Sequence, residues 1–218
     1  PEGAPDWIET CTVIHEEDKI TRYILANNVE TLIWLGNQVC LELHPWLSSV
    51  NTLEQPDFAV FDLDPMERST LAQVCRVALL IRDLLDEPGF RCYPKTSGAT
   101  GLQLYMPLLP VHSYPDVRRF VEKICRQVNE QMPDITTLER NTGKRQGKIY
   151  LDYLQNGRGK TLAAPYSPRP LQGAPVSMPL SWEEVAEAKI TPGQFTIRTA
   201  LQRLERVGDM FEAVFTDK

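Results

Sequence analysis

The segment from Phe58 to Pro65 limits what this chain can fold into more than any other part of the sequence. Its apolar run from Phe58 to Leu63 is typical of a strand, and Pro65 ends the run because proline cannot donate to a strand ladder. Asp62 and Asp64 stand at positions i and i+2, so both side chains point to the same face. The sequence therefore predicts a strand that carries two neighbouring carboxylates at its end.

The rest of the chain shows apolar patterns of both strands and helices, in mixed order. These patterns predict strands over 10–15 and 21–25 around a turn at 16–19, then strands over 39–43, 90–93, 102–106 and 148–154. They predict helices over 29–36, 69–85, 116–131 and 196–207, a helix that begins at Trp182, and an extended proline-rich stretch over 165–179. This order predicts an α+β domain with a mixed, mainly antiparallel sheet and flanking helices.

Composition excludes several classes of protein. Hydrophobic residues make up 42 % of the 218 residues, which is enough for a core. The formal net charge of −6 argues against a histone-like coat of positive charge, but it allows a local basic patch that binds nucleic acid. Such a patch is predicted where basic residues crowd together, at Lys144, Arg145, Lys148, Arg158, Lys160 and Arg169.

Cysteine spacing and apolar run lengths indicate a reduced cytosolic protein. The five cysteines are odd in number and no two form a CxxC pair, so the sequence predicts neither a disulfide framework nor a zinc site. There is no run of about 18 apolar residues and no signal-peptide pattern, so no membrane partner is expected.

Carboxylates are the first candidates for chemistry. Asp62 and Asp64 raise each other's pKa, and a divalent cation such as Mg²⁺ or Mn²⁺ relieves the repulsion. Asp152 lies in phase with Lys148 and Tyr150 on a later strand and would supply a third acid, as a two-metal phosphoryl-transfer site needs. The alternatives are a solvated strand end or a turn cap for Asp62 and Asp64, and an ordinary exposed acid for Asp152.

Four further residues are candidates for binding phosphate. Ser97 lies in a glycine-bearing loop, Lys95 to Leu102, whose backbone a phosphate can approach closely; it is not a Walker A loop, and the alternative is an ordinary hairpin. His44 follows the predicted strand over 39–43 and offers an imidazole donor for a phosphate oxygen. The alternative is a histidine whose hydrogen bonds are satisfied within the protein at the end of a strand. Arg145 and Arg169 suit bidentate phosphate contacts, unless they belong to a solvated face.

Taken in order, these segments resemble the polymerase domain of DNA ligase D, which belongs to the archaeo-eukaryotic primase superfamily. The resemblance runs from about residue 7 to the end. It rests on a histidine segment (42–46), motif I (57–65), motif II (95–103), and motif III with its tail (144–156 and 164–169).

The resemblance implies a primase-like catalytic core and a role for each matching residue. Asp62, Asp64 and Asp152 would bind two Mn²⁺ or Mg²⁺ ions. A primer 3′-hydroxyl would attack the α-phosphate of a nucleoside triphosphate and release pyrophosphate, with a preference for ribonucleotides. The residues expected to bind that nucleotide are His44, Ser97, Gln103, Arg145 and Arg169.

The resemblance also implies partners and a location. These are DNA primer-templates or broken DNA ends, a ligase domain, a Ku-like end-binding protein, and the nucleoid region of a bacterial cytoplasm. Residues 1–218 are expected to form a single domain that lacks the family's N-terminal segment, which holds a DNA 5′-phosphate.

Two residues depart from the family pattern. Gln103 stands where motif II usually has histidine, and Leu171 stands where a second tail arginine is common. Both changes remove positive charge near the triphosphate. The alternative function is therefore a non-catalytic nucleic-acid-binding or scaffolding relative with a degenerate nucleotide site.

Overall fold

The computed structural model describes residues 3–15, 19–191 and 193–217. The chain divides into two compact units, Pro1–Leu41 and Glu42–Lys218. In the first unit an antiparallel pair of strands, β1 (Thr10–Ile14) and β2 (Ile20–Ile24), precedes helix α1 (Val29–Asn37). Residues 16–18 of the predicted turn lie outside the described part of the chain. Asn28 caps α1 as predicted, since its side chain accepts a hydrogen bond from the backbone N–H of Thr31.

The second unit is built on a five-stranded sheet with β3 at its centre. The strands are β3 (Phe58–Asp64), β4 (Tyr93–Thr96), β5 (Leu102–Pro107), β6 (Thr136–Thr137) and β7 (Ile149–Asp152), in the order β4-β5-β3-β7-β6. Every neighbouring pair is antiparallel except β6 and β7. This sheet confirms the predicted α+β class with a mixed, mainly antiparallel sheet.

In the described part of the chain, four helices accompany the sheet where the sequence predicted them, with shifts at their ends, and a short fifth helix near residue 213 has no counterpart among the predicted elements. They are α2 (Leu71–Asp86), α3 (Tyr114–Gln131), α4 (Trp182–Glu187), α5 (Ala200–Val207) and α6 (Ala213–Thr216). Capping boxes at Thr70, Ser113 and Ser181 begin α2, α3 and α4. No helix in the described part of the chain has both the length and the apolar character that crossing a membrane requires.

Side-chain alternation along β3 divides the sheet into two different faces. Phe61 and Leu63 are fully buried in the main core with residues of α2 and α3. Val60 points the other way, into a smaller cluster with Tyr105 and Phe211. Since side chains at i and i+2 share a face, the acids at the end of β3 lie on the side of this smaller cluster.

The predicted strand over 39–43 is wrong, because this apolar stretch ends a helix instead. The backbone N–H of Val39 donates to the Gly36 oxygen and that of Cys40 to the Leu35 oxygen, as in a C-terminal cap. Val39 adopts a left-handed φ of 61° and is 77 % exposed. Apolar composition alone does not distinguish such a cap from a short strand.

Other predicted elements differ from the observed ones in their bounds. The strand expected over 90–93 begins only at Tyr93, because Phe90 lies in the turn that follows α2 and donates its N–H to the Leu85 oxygen. The stretch over 165–179 is not simply extended. It folds back on itself, with Pro168 opposite Val176 and the Arg169 N–H donating to the Pro175 oxygen.

Candidate metal and nucleotide site

The three acids singled out in the sequence lie together on one face of the sheet. The antiparallel register of β3 and β7 places Asp62 opposite Asp152 and Asp64 opposite Tyr150. One carboxylate oxygen from each of Asp62, Asp64 and Asp152 lies within 4.8 Å of the others. Oxygen ligands at this spacing suit a hard divalent cation, so the residues present fit the predicted metal.

Asp152 is oriented by its own neighbours on β7. Its Oδ1 accepts hydrogen bonds from the Tyr150 hydroxyl at 3.2 Å and from the Leu154 N–H at 3.0 Å. Burial and the adjacent Asp152 carboxylate keep the pKa of Tyr150 above its usual range, so the phenol keeps the proton that it donates. The bond to Leu154 also ends the strand at Asp152, earlier than the predicted end at 154.

A row of buried polar side chains crosses the sheet and ends at Asp62. The registers place Lys95 of β4 opposite Gln103 of β5, and Gln103 opposite Asp62 of β3. Lys95 Nζ donates to Gln103 Oε1 at 2.6 Å, and Gln103 Nε2 donates to Asp62 Oδ1 at 3.0 Å. These two partners fix the amide orientation, because a lysine can only donate and a carboxylate can only accept. Both polar atoms of Gln103 thus have partners in the protein, and its contact with a nucleotide stays a prediction.

Burial makes these charges costly without a cation. Burial, and then the repulsion of Asp64, raises the pKa of Asp62 to about 7. Burial and the Asp152 carboxylate raise the pKa of Asp64 as well. Burial lowers the pKa of Lys95 to about 7, although Asp62 acts in the opposite direction. A divalent cation among the carboxylates would favour their charged forms, which is a second reason why the site fits a metal.

The glycine-bearing loop between β4 and β5 is organised by Ser97. The Ser97 N–H donates to the Gly101 oxygen, and Ser97 Oγ accepts from the N–H groups of Ala99 and Gly101 at 3.2 and 3.1 Å. Among the described residues the Ser97 hydroxyl meets no acceptor, so its proton stays available for a ligand. The loop also requires glycine at Gly98, which has a φ of 74° and packs directly against the Arg169 side chain.

Gly101→Ala should destabilise the protein by roughly 1–3 kcal/mol, the range for overpacking a tight site. The new Cβ would lie 2.2 Å from the Leu63 backbone oxygen, between the two acids of β3. Chemical denaturation measures the change. Gly36→Ala is the matched control, because it adds a methyl group to open space within α1 and should raise stability slightly. Equal stability of Gly101→Ala and wild type would contradict this close approach.

His44 and Arg169 are brought together although they are far apart in sequence. The Leu43 N–H donates to Ser167 Oγ at 2.9 Å, which joins the histidine segment to the motif III tail. Glu42 Oε1 lies 2.7 Å from His44 Nε2 and also forms an ion pair with Arg169 Nε. Arg169 Nη1 donates to the Ser97 oxygen at 2.6 Å. Three residues expected to bind the nucleotide are therefore connected in one network.

Arg145 is held near the acids by contacts with Tyr150 of β7 and with the backbone of residues 139–140. Its Nε and Nη2 donate to the backbone oxygens of Glu139 and Arg140, each at 3.0 Å, and its guanidinium lies 3.8 Å from the centre of the Tyr150 ring. Its positive charge lowers the pKa of Asp64, which burial raises. Arg145 is thus fixed close to the acidic cluster.

Three supporting residues were not assigned a role from the sequence. Lys95 lies within motif II, and its side chain is buried and donates to Gln103 Oε1. Glu42 precedes His44 by two positions, and its Oε1 lies 2.7 Å from His44 Nε2. Asn156 is buried and exchanges two hydrogen bonds with the backbone of Val60, at 2.8 and 2.7 Å. Nothing in the local pattern around Asn156 indicates that contact.

A mainly antiparallel sheet with three clustered acids on one face, bordered by fixed arginines and a glycine-bearing loop, has the features of a metal-dependent nucleotidyltransferase. Comparison with known families agrees with this class. The family described as LigD, primase-polymerase domain, matches residues 1–211. The chain therefore belongs to the LigD primase-polymerase domain family.

Individual relatives show the extent of the similarity. The chain is 36 % identical to the bifunctional non-homologous end joining protein LigD of Bacillus subtilis, over 97 % of this chain and 34 % of that protein. It is 33 % identical to the multifunctional LigD of Mycolicibacterium smegmatis, over 99 % of this chain and 28 % of that protein. The chain thus spans about a third of the length of these relatives.

A solved structure supports the same assignment. The polymerase domain of Mycobacterium tuberculosis ligase D, in complex with DNA, matches with a TM-score of 0.90 and 31 % identity. The match covers 100 % of this chain and 77 % of that one.

Proposed function

We propose that this chain carries out metal-dependent, template-directed addition of nucleotides to a primer 3′-hydroxyl in DNA end-joining repair. The proposal rests on the clustering of Asp62, Asp64 and Asp152, since one carboxylate oxygen of each lies within 4.8 Å of the others. A module that only binds phosphate gains nothing from three clustered acids, because they repel an anion. The site therefore favours catalysis over the non-catalytic alternative.

The acids would hold two Mg²⁺ or Mn²⁺ ions, which when bound lower the pKa of the attacking hydroxyl and offset charge on the leaving pyrophosphate. Asp152 is already turned toward the other acids by Tyr150 and the Leu154 N–H. Gln103 performs the same task for Asp62. Ligands that are preorganised in this way lose little conformational freedom when a cation binds.

The triphosphate would lie between the acids and the network of His44, Ser97 and Arg169, with Arg145 on the other side of the acids. Arginine suits this position because its planar donors match phosphate oxygens. The Ser97 hydroxyl has a proton left to donate. Gln103 and Leu171 keep this region less positive than the family pattern, which points to weaker binding of the triphosphate rather than to loss of the reaction.

The primer-template would be DNA, in line with the mycobacterial domain that is in complex with DNA, and we propose that it carries a break or a gap. We further propose that residues 1–218 act as one domain, in a bacterial cytoplasm and close to the nucleoid. Its partners would be a ligase domain and a Ku-like end-binding protein. Ribonucleotides are the expected substrates.

The test is extension of a primer on a DNA template in the presence of Mn²⁺, with ribonucleotides and deoxyribonucleotides compared. We expect extension that follows the template sequence, is faster with ribonucleotides and stops when a chelator is added. DNA binding without any extension by this chain would support the non-catalytic alternative instead.

Arg145→Ala and Arg169→Ala should each weaken nucleotide binding by roughly 1.5–3 kcal/mol, the range for a hydrogen bond to a charged group. Calorimetric titration with Mn²⁺ and a non-hydrolysable triphosphate measures the effect. Arg126→Ala on α3 is the control, because Arg126 forms an ion pair with Glu122 on the surface of the same helix. Unchanged affinity in either variant would remove that arginine from the site.

A further inference from the structure

Glu42 is a fourth carboxylate beside a pocket that should bind a polyanion, so its presence needs an explanation. Its side chain is about three-quarters buried, and its Oε1 faces two nitrogens at once, His44 Nε2 at 2.7 Å and Arg169 Nε. By charge alone it would repel a triphosphate. Two of its contacts, however, are with residues proposed to receive that triphosphate.

Contacts on both sides fix the orientation of Arg169. Nε faces Glu42, Nη1 donates to the Ser97 oxygen at 2.6 Å, and the side-chain carbons lie against Gly98. A free arginine side chain has several rotamers, and binding a phosphate would have to restrict them. Glu42 restricts them before the ligand arrives.

The same carboxylate sets the orientation of His44. His44 Nε2 lies 2.7 Å from Glu42 Oε1, so the opposite edge of the ring is turned away from that carboxylate. The Leu43 N–H donates to Ser167 Oγ and the Leu43 oxygen accepts from the Ala164 N–H, which brings the two segments together but does not join the side chains of His44 and Arg169. Glu42 supplies the side-chain link between them.

We propose that Glu42 is a positioning residue, whose carboxylate oxygen holds His44 and Arg169 in the orientation that receives the triphosphate. This inference rests on the proposed function. It concerns the placement of an acceptor oxygen rather than the negative charge. Glu42→Gln, which keeps an oxygen at the same place, should therefore behave differently from Glu42→Ala.

The test measures dissociation constants for a non-hydrolysable nucleoside triphosphate with Mn²⁺ in the two variants and the wild type. Glu42→Ala should bind roughly tenfold more weakly, which corresponds to about 1.4 kcal/mol. Glu42→Gln should stay within about threefold of the wild type. In steady-state extension, Glu42→Ala should raise KM for the nucleotide and leave kcat nearly unchanged, because the contact acts on binding.

Controls separate this role from a structural one. Mn²⁺ binding without nucleotide, followed by electron paramagnetic resonance, should be the same in all three proteins because Glu42 is not among the clustered acids. Glu122→Ala removes a carboxylate that pairs with an arginine on the surface of α3, and it should bind the nucleotide like the wild type.

Two results would overturn the inference while leaving the proposed function intact. One is a Glu42→Ala protein that binds the triphosphate as tightly as the wild type or more tightly, which would make Glu42 a bystander or a competitor of phosphate. The other is a Glu42→Gln protein as weak as Glu42→Ala, which would show that the acceptor oxygen is not what matters. A wild-type protein that binds no triphosphate would instead refute the proposed function, and the inference with it.

Discussion

Asp64→Ala is expected to lower the rate of primer extension by at least about a thousandfold, while the protein melts at the same temperature or slightly higher. Loss of one ligand from a shared metal site removes several kcal/mol of transition-state stabilisation, and each 1.36 kcal/mol is a factor of ten in rate. Stability should not fall, because burial and Asp152 already raise the pKa of Asp64, so its charge destabilises the metal-free fold. Single-turnover extension and thermal unfolding measure the two effects.

Asp134→Ala provides the control for this prediction, since it removes an exposed acid outside the cluster. It should extend primers at the wild-type rate. A marked drop in melting temperature for Asp64→Ala would assign that residue a structural role and contradict the prediction.

Asp62→Asn should stabilise the metal-free protein, and by more as the pH rises. Burial raises the folded-state pKa of Asp62 from 3.8 to about 7, so the folded protein holds this proton more tightly than the unfolded chain. The resulting stability is fully present below about pH 4 and is lost as pH rises through about 7. Asparagine cannot ionise and still accepts the hydrogen bond from Gln103.

The advantage of Asp62→Asn over the wild type should therefore grow by roughly 2–3 kcal/mol between pH 5 and pH 8, or about 5–10 °C in melting temperature. Thermal unfolding with a chelator present measures it. Saturating Mn²⁺ should reverse the order at pH 8, because only the wild type keeps all three carboxylates for the cation. A difference between the two chelated proteins that does not change with pH would contradict the raised pKa.

Local signals in the sequence were sufficient for the parts of the fold that depend on neighbouring residues. The capping residues Asn28 and Ser181 begin helices because a side-chain oxygen meets an N–H only three residues away. The alternation along β3 put Asp62 and Asp64 on one face for an equally local reason. The strand predicted over 39–43 is wrong because the end of a helix and a short strand can have the same apolar composition.

Local sequence patterns predict only part of the candidate site. The sequence by itself determined which residue types are present, their phase along each strand, and, through several motifs in order, the family to which the chain belongs. Only the tertiary structure decided that Asp152 lies opposite Asp62, that Lys95 is buried behind Gln103, and that Glu42 joins His44 to Arg169. The physical reason is that strand register and ion pairing between distant segments depend on the packing of the whole sheet, whereas periodicity reports only on residues within a few positions of one another.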